Sequence, residues 1–225
     1  LPVLKEETMT DSGDDPAYSL EITYPKLTQG NAKQITACNA FIRSLIDEVT
    51  ADFLDSIQPV DDAVDLEAYG LGTENTLIGS YTEYFLDNSY ISIKLEFSVY
   101  YAGGAHPGTI IRVVNYDLDR SQEVTLSSLF KPASNYLTLL SAQSKELLIE
   151  ILGESTWEDG SPWADGVAPQ ADNFKNFTVA ADGLHITFDE YQVASYAMGR
   201  PEITIPHNQL TSITAADSML AHSVP

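Results

Sequence analysis

Apolar residues recur at every second position in several short stretches of this chain. The clearest stretch runs from Ile91 to Val99, where Ile, Leu, Phe and Val alternate with Ser, Lys and Glu. A period of two predicts a strand with one buried and one solvent-facing side, as is typical of antiparallel sheets. We expect further strands in YSLEITYP, NTLIGSYTEYF, TIIRVVNYDLD, RSQEVTL and EITIP, and a hairpin that turns at Asp182-Gly183 in FTVAADGLHITF.

Two other stretches place apolar residues three and four positions apart, which is the spacing of an amphipathic helix. The longer stretch begins after Asn31, a good N-cap residue, and ends before Pro59. The shorter is SNYLTLLSAQSKELLIEILG, in which Gly153 is placed to end the helix. The single cysteine, Cys38, lies on the apolar face of the longer helix, so we expect a buried thiol and no intrachain disulfide.

Together these elements predict an α+β fold, with antiparallel sheets, one long and one shorter helix packed on them, and two lobes in one compact unit. Residues 1–16 are polar, acidic and poor in aromatic residues, so we expect a flexible leader or tether there. Residues 17–118 are expected to form an N-terminal lobe of strand, long helix and strands. Residues 119–213 are expected to form a C-terminal lobe, and 214–225 a frayed tail.

The chain is strongly acidic. Its 225 residues include 11 Lys and Arg against 33 Asp and Glu, which gives a formal net charge of −22. Such a chain repels nucleic-acid phosphates and anionic membrane surfaces, so we expect no nucleic-acid partner. The charge suits a cationic partner, although it serves equally to keep a protein soluble. No apolar run approaches the ~20 residues that a membrane-spanning helix needs.

The sequence offers no motif for metal, cofactor or nucleophilic chemistry. Its histidines, which are His106, His185, His207 and His222, do not have the spacing of a helical metal pair. The segment DLDRSQEVTLSS has Gln and Ser where a calcium loop needs Gly and Glu, so a hairpin turn is the better interpretation. No G-x-S-x-G nucleophile elbow occurs. We therefore expect no cofactor and no metal site.

The most unusual stretch is YYAGGAHPG, residues 100–108. The glycine pair permits close backbone approach, and the following proline keeps the histidine extended. One interpretation is a corner in which the histidine ring bonds a neighbouring strand or the YQVASYA segment and pins the two lobes. The other, less favoured, is a ligand-binding lip. The candidate ligand contacts in this loop are Tyr100, Tyr101, Gly103, Gly104, His106 and Pro107.

Carboxylates and tryptophans in the second half raise the alternative of a glycan-acting enzyme. Asp189 and Glu190 are the candidate acids, because glycosidases use paired carboxylates. Trp157 and Trp163 lie in a long loop, where a tryptophan is more often a plug that holds the loop to the core than a platform for sugar rings.

Two longer segments resemble a known bacterial domain. They are GGAHPGTIIRVVNYDLDRSQEVTLSSLF and FTVAADGLHITFDEYQVASYAMGRPEITIPHNQL. Both are similar to the extracytoplasmic domain of RsiV-like anti-sigma factors. The same domain precedes the catalytic domain of PdaC-type peptidoglycan deacetylases and occurs in lipoproteins of unknown role. The first half, with YSLEITYPKL and SVYYAGGAHP, resembles the domain that normally precedes it, so the resemblance covers residues 17–212.

This resemblance implies an exported module without known catalysis, periplasmic or at the cell surface, and lipid-anchored in the full-length protein. In the anti-sigma factors the domain binds lysozyme, a strongly basic protein, and an acidic surface suits such a partner. The sequence departs from the related proteins in three ways. It contains no transmembrane, sigma-binding or deacetylase segment. Glu190 and Tyr191 replace the Asp and Gly of a deacetylase motif. Ser195 stands where the family often has proline.

The leading hypothesis is a non-catalytic binding module of the cell envelope. Its expected ligand is a basic protein such as lysozyme, or peptidoglycan fragments. Tyr191 and Tyr196 join Tyr100 and Tyr101 as the amphipathic contact residues that interfaces favour. The alternatives are an enzyme that acts on glycan near Asp189, and a structural lipoprotein domain with no small ligand.

Overall fold

A computed structural model describes residues 2–59, 65–154 and 161–224 of the chain. The strands are β1 (Leu4–Asp14), β2 (Ala17–Leu27), β3 (Asn75–Leu86), β4 (Tyr90–Tyr100), β5 (Gly108–Asp117), β6 (Gln122–Glu123), β7 (Phe177–Ala180), β8 (Gly183–Thr187) and β9 (Glu202–Pro206). The helices are α1 (Ala32–Ser56), α2 (Tyr136–Leu152), α3 (His207–Leu210) and α4 (Met219–His222). The first six strands form one sheet in chain order, and β7-β8-β9 form a second. The α+β class predicted from the sequence is confirmed.

The chain divides into two compact units. The first contains Leu1–Thr82 and Leu95–Arg112, and the second contains Glu83–Lys94 and Val113–Pro225. β3, β4 and β5 contribute residues to both units, so this division cuts through strands and differs from the expected boundary after residue 118. Within the described ranges, no helix combines the length and the apolar character that a bilayer crossing requires.

The first unit is built around α1. The side chain of Asn31 caps its start by accepting a hydrogen bond from the backbone N–H of Lys33 at 2.9 Å, as the sequence predicted. The helix lies against β2. Asn39 ties the two together, because its side-chain amide both donates to and accepts from the backbone of Leu27. The buried face of α1 consists of Cys38, Ile42, Ile46, Val49 and Phe53.

Cys38 is fully buried, and burial raises the pKa of its thiol to about 12. The thiolate is the reactive form of cysteine, so this side chain is inert at neutral pH. The prediction of a buried core thiol is confirmed.

The expected flexible leader is a strand. β1 pairs antiparallel with β2 along its whole length, from Leu4 opposite Leu27 to Asp14 opposite Ala17. No residue of β1 is fully buried, which explains why the sequence lacks an apolar signal there. The strand is stabilised through backbone pairing, and a polar edge strand gives no hydrophobic periodicity to detect.

One strand pair departs from the antiparallel expectation. β2 and β3 run parallel, with Tyr18 opposite Asn75 and Ile22 opposite Gly79. Parallel neighbours need a long crossover connection, and α1 supplies it. Alternation along a strand does not give the direction of its partner, so the sequence pattern did not reveal this pair. The expectation of a solvent-facing side on β4 is also wrong at Ser92 and Lys94, which are buried.

The second unit has its own hydrophobic core. α2 and β9 are in contact, and Leu140 and Leu148 of α2 are fully buried. β7 and β8 form the hairpin predicted at Asp182-Gly183. β5 and β6 form a second hairpin at the acidic segment DLDRSQEVTLSS, as the sequence predicts. Other members of this core are Phe130, Phe174, Phe177, Phe188, Ile186, Ile203, Ile205 and Leu210.

Two buried polar side chains close the free edge of β7. Asn115 donates to the carbonyl of Phe177 at 2.7 Å, and Ser92 accepts from the backbone N–H of Val179 at 2.9 Å. The Ser92 hydroxyl also donates to the Asn115 side chain at 2.7 Å. Because these groups lie in the core, each backbone group of β7 that faces away from β8 at these positions has a side-chain partner.

The expected frayed tail is also folded. Thr214 forms an isolated bridge with Phe130, and Ser218 caps α4 by accepting from the backbone N–H of Ala221. Met219 and Leu220 are buried in the core of the second unit. The short length of α4 hid this element, because four residues do not establish a helical period.

Candidate functional site

The loop after β4 is closed by the side chain of Tyr100. Its hydroxyl donates to the carbonyl of Gly104 and accepts from the backbone N–H of Gly72, both at 2.9 Å. The backbone of Gly103 also donates to the carbonyl of Gly72 at 3.0 Å. Tyr100 therefore organises a corner of the backbone within the first unit.

The other candidate residues of this loop differ in exposure. Gly103 has a φ of 81°, and a Cβ on Gly104 would come within 2.9 Å of the Tyr101 carbonyl, so the corner needs both glycines. Tyr101 is 37% exposed, and its ring stacks on Phe53 with ring centroids 5.8 Å apart. His106 is exposed, and its Nδ1 lies 3.0 Å from the carbonyl of Pro107, within its own loop.

Tyr191 and Tyr196 form a stacked pair in the second unit, with ring centroids 5.8 Å apart and an interplanar angle of 29°. Tyr191 is 54% exposed, and its backbone has a φ of 63°. A left-handed backbone at a bulky non-glycine residue is uncommon and costs on the order of 1 kcal/mol or more. The surrounding loop holds an aromatic ring at the surface in a conformation that the residue does not favour by itself.

The loop beneath this pair is held by Gln192. Its side-chain amide donates to the carbonyls of Gly166 and Asn173, and its side-chain oxygen accepts from the backbone N–H of Asp189. A Cβ on Gly166 would collide with the backbone carbonyl of Gln192, so the two chain segments pack directly on one another. Gln192 therefore ties the loop that carries the tyrosine pair to the segment that contains Gly166 and Asn173.

Asp189 and Glu190, the candidate acids, both lie beside cations. The Asp189 carboxylate accepts from the side chain of Asn176 and pairs with Nζ of Lys175, each at 2.8 Å. Glu190 lies 3.5 Å from Nη1 of Arg200, and its side chain is 15% exposed. These contacts hold the loop in place, as expected for carboxylates with a structural role.

Trp163 is partly buried and packs against the core of the second unit, as a plug would. Trp157 lies outside the described residues. At Ser195 the backbone φ is −67°, a value that proline also adopts, so the turn is compatible with the proline that the related domains often have there.

A polar cluster around Glu202 was not predicted. Tyr84 donates to both oxygens of the Glu202 carboxylate, at 2.9 and 2.8 Å, and Nζ of Lys94 lies 2.6 Å from Oε2. The Thr187 hydroxyl donates to the same oxygen at 2.7 Å. His185 connects this group to solvent, because its Nε2 lies 2.8 Å from the exposed carboxylate of Asp182.

Electrostatics in this cluster favour the charged forms. Burial alone would raise the pKa of Glu202, but hydrogen bonds from His185, Lys94, Thr187 and Tyr84 outweigh it and hold the pKa far below its usual range. Burial alone would lower the pKa of His185, but its hydrogen bonds to Glu202 and Asp182 raise it. Each charge has a partner of opposite sign, so the cluster serves as a structural clamp between β4, β8 and β9.

Sequence reasoning missed this cluster because its members are far apart in the chain. Each of them occupies a strand position that an ordinary polar residue could fill. Within residues 2–59, 65–154 and 161–224, no three His, Cys, Asp or Glu side chains are grouped so as to hold a metal ion.

Comparison with known proteins bears on the second unit. Residues 127–208 match DUF3298, a family described as a protein of unknown function. The DUF3298 match includes Tyr191, Tyr196, His185 and Glu202, whereas the loop at 100–107 precedes it.

One curated relative is the peptidoglycan-N-acetylmuramic acid deacetylase PdaC of Bacillus subtilis (strain 168). It is 30% identical to the chain over 123 residues, which are 54% of this chain and 26% of the deacetylase. The chain therefore spans about a quarter of that relative's length.

Two crystal structures of DUF3298 family members share the fold. The Bacteroides fragilis protein has a TM-score of 0.71 at 17% identity, over 99% of this chain and 98% of its own. The Pseudomonas aeruginosa PAO1 protein has a TM-score of 0.56 at 15% identity, over 96% of this chain and 93% of its own. At these identities the similarity establishes the α+β fold, not an activity.

Proposed function

We propose that this chain is a non-catalytic binding module of the bacterial cell envelope. The observation that carries the proposal is the stacked pair of Tyr191 and Tyr196, on a loop that Gln192 hydrogen-bonds in place and with the Tyr191 backbone in a left-handed conformation. Strained backbone at the surface persists where function needs it, and tyrosine is enriched at binding surfaces because its ring gives contact area at low entropic cost.

The preferred ligand in this proposal is a basic protein such as lysozyme. A net charge of −22 favours rapid encounter with a cationic partner. The resemblance of the chain to the extracytoplasmic domain of RsiV-like anti-sigma factors supports the same partner. Tyr101 and His106, which are exposed in the first unit, are further candidate contacts, and Tyr100, Gly103, Gly104 and Pro107 shape the loop that carries them.

Peptidoglycan fragments are the second candidate ligand. The relative in Bacillus subtilis is by its name an enzyme that acts on peptidoglycan, and part of its sequence matches this chain. This similarity also supports an extracytoplasmic location, periplasmic or at the cell surface. Lipid anchoring of the full-length protein belongs to the same proposal.

A glycan-acting enzyme is the weaker alternative, because Asp189 and Glu190 are occupied by Lys175 and Arg200. An acid and a base that act on a glycosidic bond must face the bond from two sides. A structural role without a ligand is the other alternative, and it gives no use to the stacked tyrosine pair, of which Tyr191 is 54% exposed.

Calorimetric titration of the full chain with lysozyme, at low and at physiological salt, tests the proposal. We expect saturable binding that survives physiological salt, and about tenfold weaker binding for Tyr191→Ala or Tyr196→Ala. Tyr69→Ala is the matched control, because Tyr69 is 76% exposed in the first unit and should bind like the unaltered chain.

Heat that disappears at physiological salt would show only nonspecific attraction between an acidic and a basic protein, and would contradict the lysozyme proposal. If lysozyme gives no heat while soluble peptidoglycan fragments do, and the tyrosine variants lose it, the second ligand is correct. If neither lysozyme nor peptidoglycan fragments bind, the proposal that this chain is a binding module is wrong.

A further inference from the structure

The first unit carries a sheet face rich in hydroxyl groups. On β2 the apolar residues Leu20 and Ile22 are buried on the side of α1, while Glu21 between them is exposed on the opposite side. Alternate residues of a strand point to opposite faces, so the face opposite α1 is fixed by register. Its members are Glu6, Thr8, Thr10, Ser12, Ser19, Glu21, Thr23, Thr76, Ile78 and Ser80.

Hydroxyl groups meet directly on this face. Oγ1 of Thr8 and Oγ1 of Thr23 lie 3.3 Å apart across β1 and β2, which confirms that the two side chains share one side of the sheet. The opposite side is marked by Gly79, where a Cβ would come within 2.7 Å of the Ile22 side chain. The hydroxyl-rich face is therefore distinct from the packed face.

A groove of about 660 Å³ crosses this face. Strand register places Ser12, Ser19 and Thr76 side by side along one wall of the groove. The same register places Thr10, Glu21 and Ile78 along the other wall. Same-face neighbours on a strand are roughly 7 Å apart, so the two rows of side chains are separated by about that distance and the groove between them runs across three strands. Grooves of about 300–1,000 Å³ accommodate small organic ligands.

The chemistry of the lining selects a ligand class. A hydroxyl group both donates and accepts hydrogen bonds, so a row of Ser and Thr complements a polyhydroxylated molecule. Glu21 adds an exposed carboxylate, and Ile78, which is 57% exposed, adds an apolar surface for the carbon face of a sugar ring. Among the described residues that line the groove, none is Lys, Arg or His. An anionic ligand is therefore disfavoured and an amine is favoured.

We propose that this groove binds a glycan whose sugars carry free amino groups. Hydroxyls along Ser12, Ser19 and Thr76 bond the sugar hydroxyls, and the Glu21 carboxylate pairs with a sugar ammonium. The proposal names a second ligand site, separate from Tyr191 and Tyr196. It rests on the proposed envelope function only for the setting in which such a glycan is met.

Calorimetric titration of the full chain with glucosamine oligomers, and with N-acetylglucosamine oligomers of the same length, tests this site. We expect the amino form to bind about tenfold more tightly, with saturation at physiological salt. Acetylation removes the positive charge that Glu21 recognises, but leaves the ring hydroxyls. Equal affinity for the two oligomers would contradict the role of Glu21.

Variants locate the site. Glu21→Gln should weaken the amino oligomer about tenfold and leave the acetylated one unchanged, while Thr76→Val should weaken both. Glu67→Gln is the matched control, because it removes the same charge from an exposed position of the first unit outside the groove. If Glu67→Gln weakens binding as much as Glu21→Gln does, the attraction is due to net charge alone and the groove proposal is wrong.

The lysozyme proposal and the groove proposal can each be contradicted without the other. Tyr191→Ala should leave the binding of glucosamine oligomers unchanged, and Glu21→Gln should leave lysozyme binding unchanged. Absence of oligomer binding to a chain that still binds lysozyme overturns the groove alone. Absence of lysozyme binding with oligomer binding retained overturns only the lysozyme proposal.

Discussion

Nζ of Lys94 lies 2.6 Å from Oε2 of Glu202, and the two side chains are 10% and 30% exposed. The pair joins a central strand of the large sheet to the edge of the small one within the second unit. Tyr84 and Thr187 complete the hydrogen bonding of the carboxylate. A buried ion pair helps to fix the register of its strands when its remaining hydrogen-bonding groups also have partners. Removing one of the two charges leaves the other buried and unpaired, which is costly.

Replacing Lys94 with methionine removes one of the two cationic partners of the Glu202 carboxylate and leaves only His185. Removing one partner of a fully buried pair costs about 3–5 kcal/mol, and the partial exposure of Glu202 reduces this to about 2 kcal/mol. Urea unfolding measures the loss. Lys145→Met on the exposed side of α2 is the control, with an expected change below about 0.5 kcal/mol. Equal effects of the two variants would contradict a specific role for the pair.

His185 should make the second unit less stable at alkaline pH. Its pKa is raised because its hydrogen bonds to Glu202 and Asp182 outweigh burial. A raised pKa contributes stability below the ordinary value, and this stability is lost as the pH rises through the raised value. The free energy of unfolding, measured from mildly acidic to mildly alkaline pH, should fall. His185→Asn should flatten this fall, whereas the exposed loop variant His106→Asn should not.

Glu202 acts at the opposite end of the pH range. Its pKa is held far below the usual value for glutamate, so it contributes stability above that value and loses it as the pH falls. Glu202→Gln should be less stable than the unaltered chain near neutral pH, and the difference should shrink in acid. A difference that stays constant from neutral pH to about pH 3 would show that Glu202 acts through packing and not through its charge.

Asn115 should contribute more to the stability of the fold than an exposed asparagine does. Asn115→Ala leaves the carbonyl of Phe177 without its donor and the hydroxyl proton of Ser92 without its acceptor, and unsatisfied buried polar groups cost about 1–3 kcal/mol. Thermal or urea unfolding of this variant, compared with Asn208→Ala at an exposed position of α3, measures the cost. If both variants unfold alike, the closure of β7 by side chains contributes no stability.

Tyr100→Phe tests whether the loop at 100–107 is a corner. The ring remains, but the hydroxyl that bridges Gly72 and Gly104 is lost, so we expect a loss of about 1 kcal/mol in stability. Tyr69→Phe is the control. If lysozyme affinity falls while stability is unchanged, Tyr100 contacts the ligand directly, and the structural interpretation of its hydroxyl is wrong.

Local patterns carried most of the prediction of the fold. α1 was visible because its buried residues recur every three or four positions behind the cap at Asn31. β4 was visible because Ile91 to Val99 alternate. The direction of β3 and the short α4 were not, since strand direction depends on the crossover and a single turn has no period.

The candidate sites also combine features that the sequence indicated with features that only the folded chain shows. Tyr191 and Tyr196 stood out in a distinctive segment, but their stacking and the left-handed backbone of Tyr191 are properties of the folded loop. The partners of Glu202 come from β3, β4 and β8 and meet only through long-range packing. The groove across β1, β2 and β3 also depends on strand register, which a single sequence does not specify.

β1 stands at the end of the large sheet, where one side of its backbone faces away from β2. Such a strand is a template on which a second copy of a chain can assemble, and natural proteins suppress this by charging the strand. The charged residues of β1 are Lys5, Glu6, Glu7, Asp11 and Asp14. The acidic composition that led us to expect a flexible leader at β1 is thus also a barrier to self-association. Neutral residues at these positions would remove that barrier and favour pairing of β1 with a second copy of the chain.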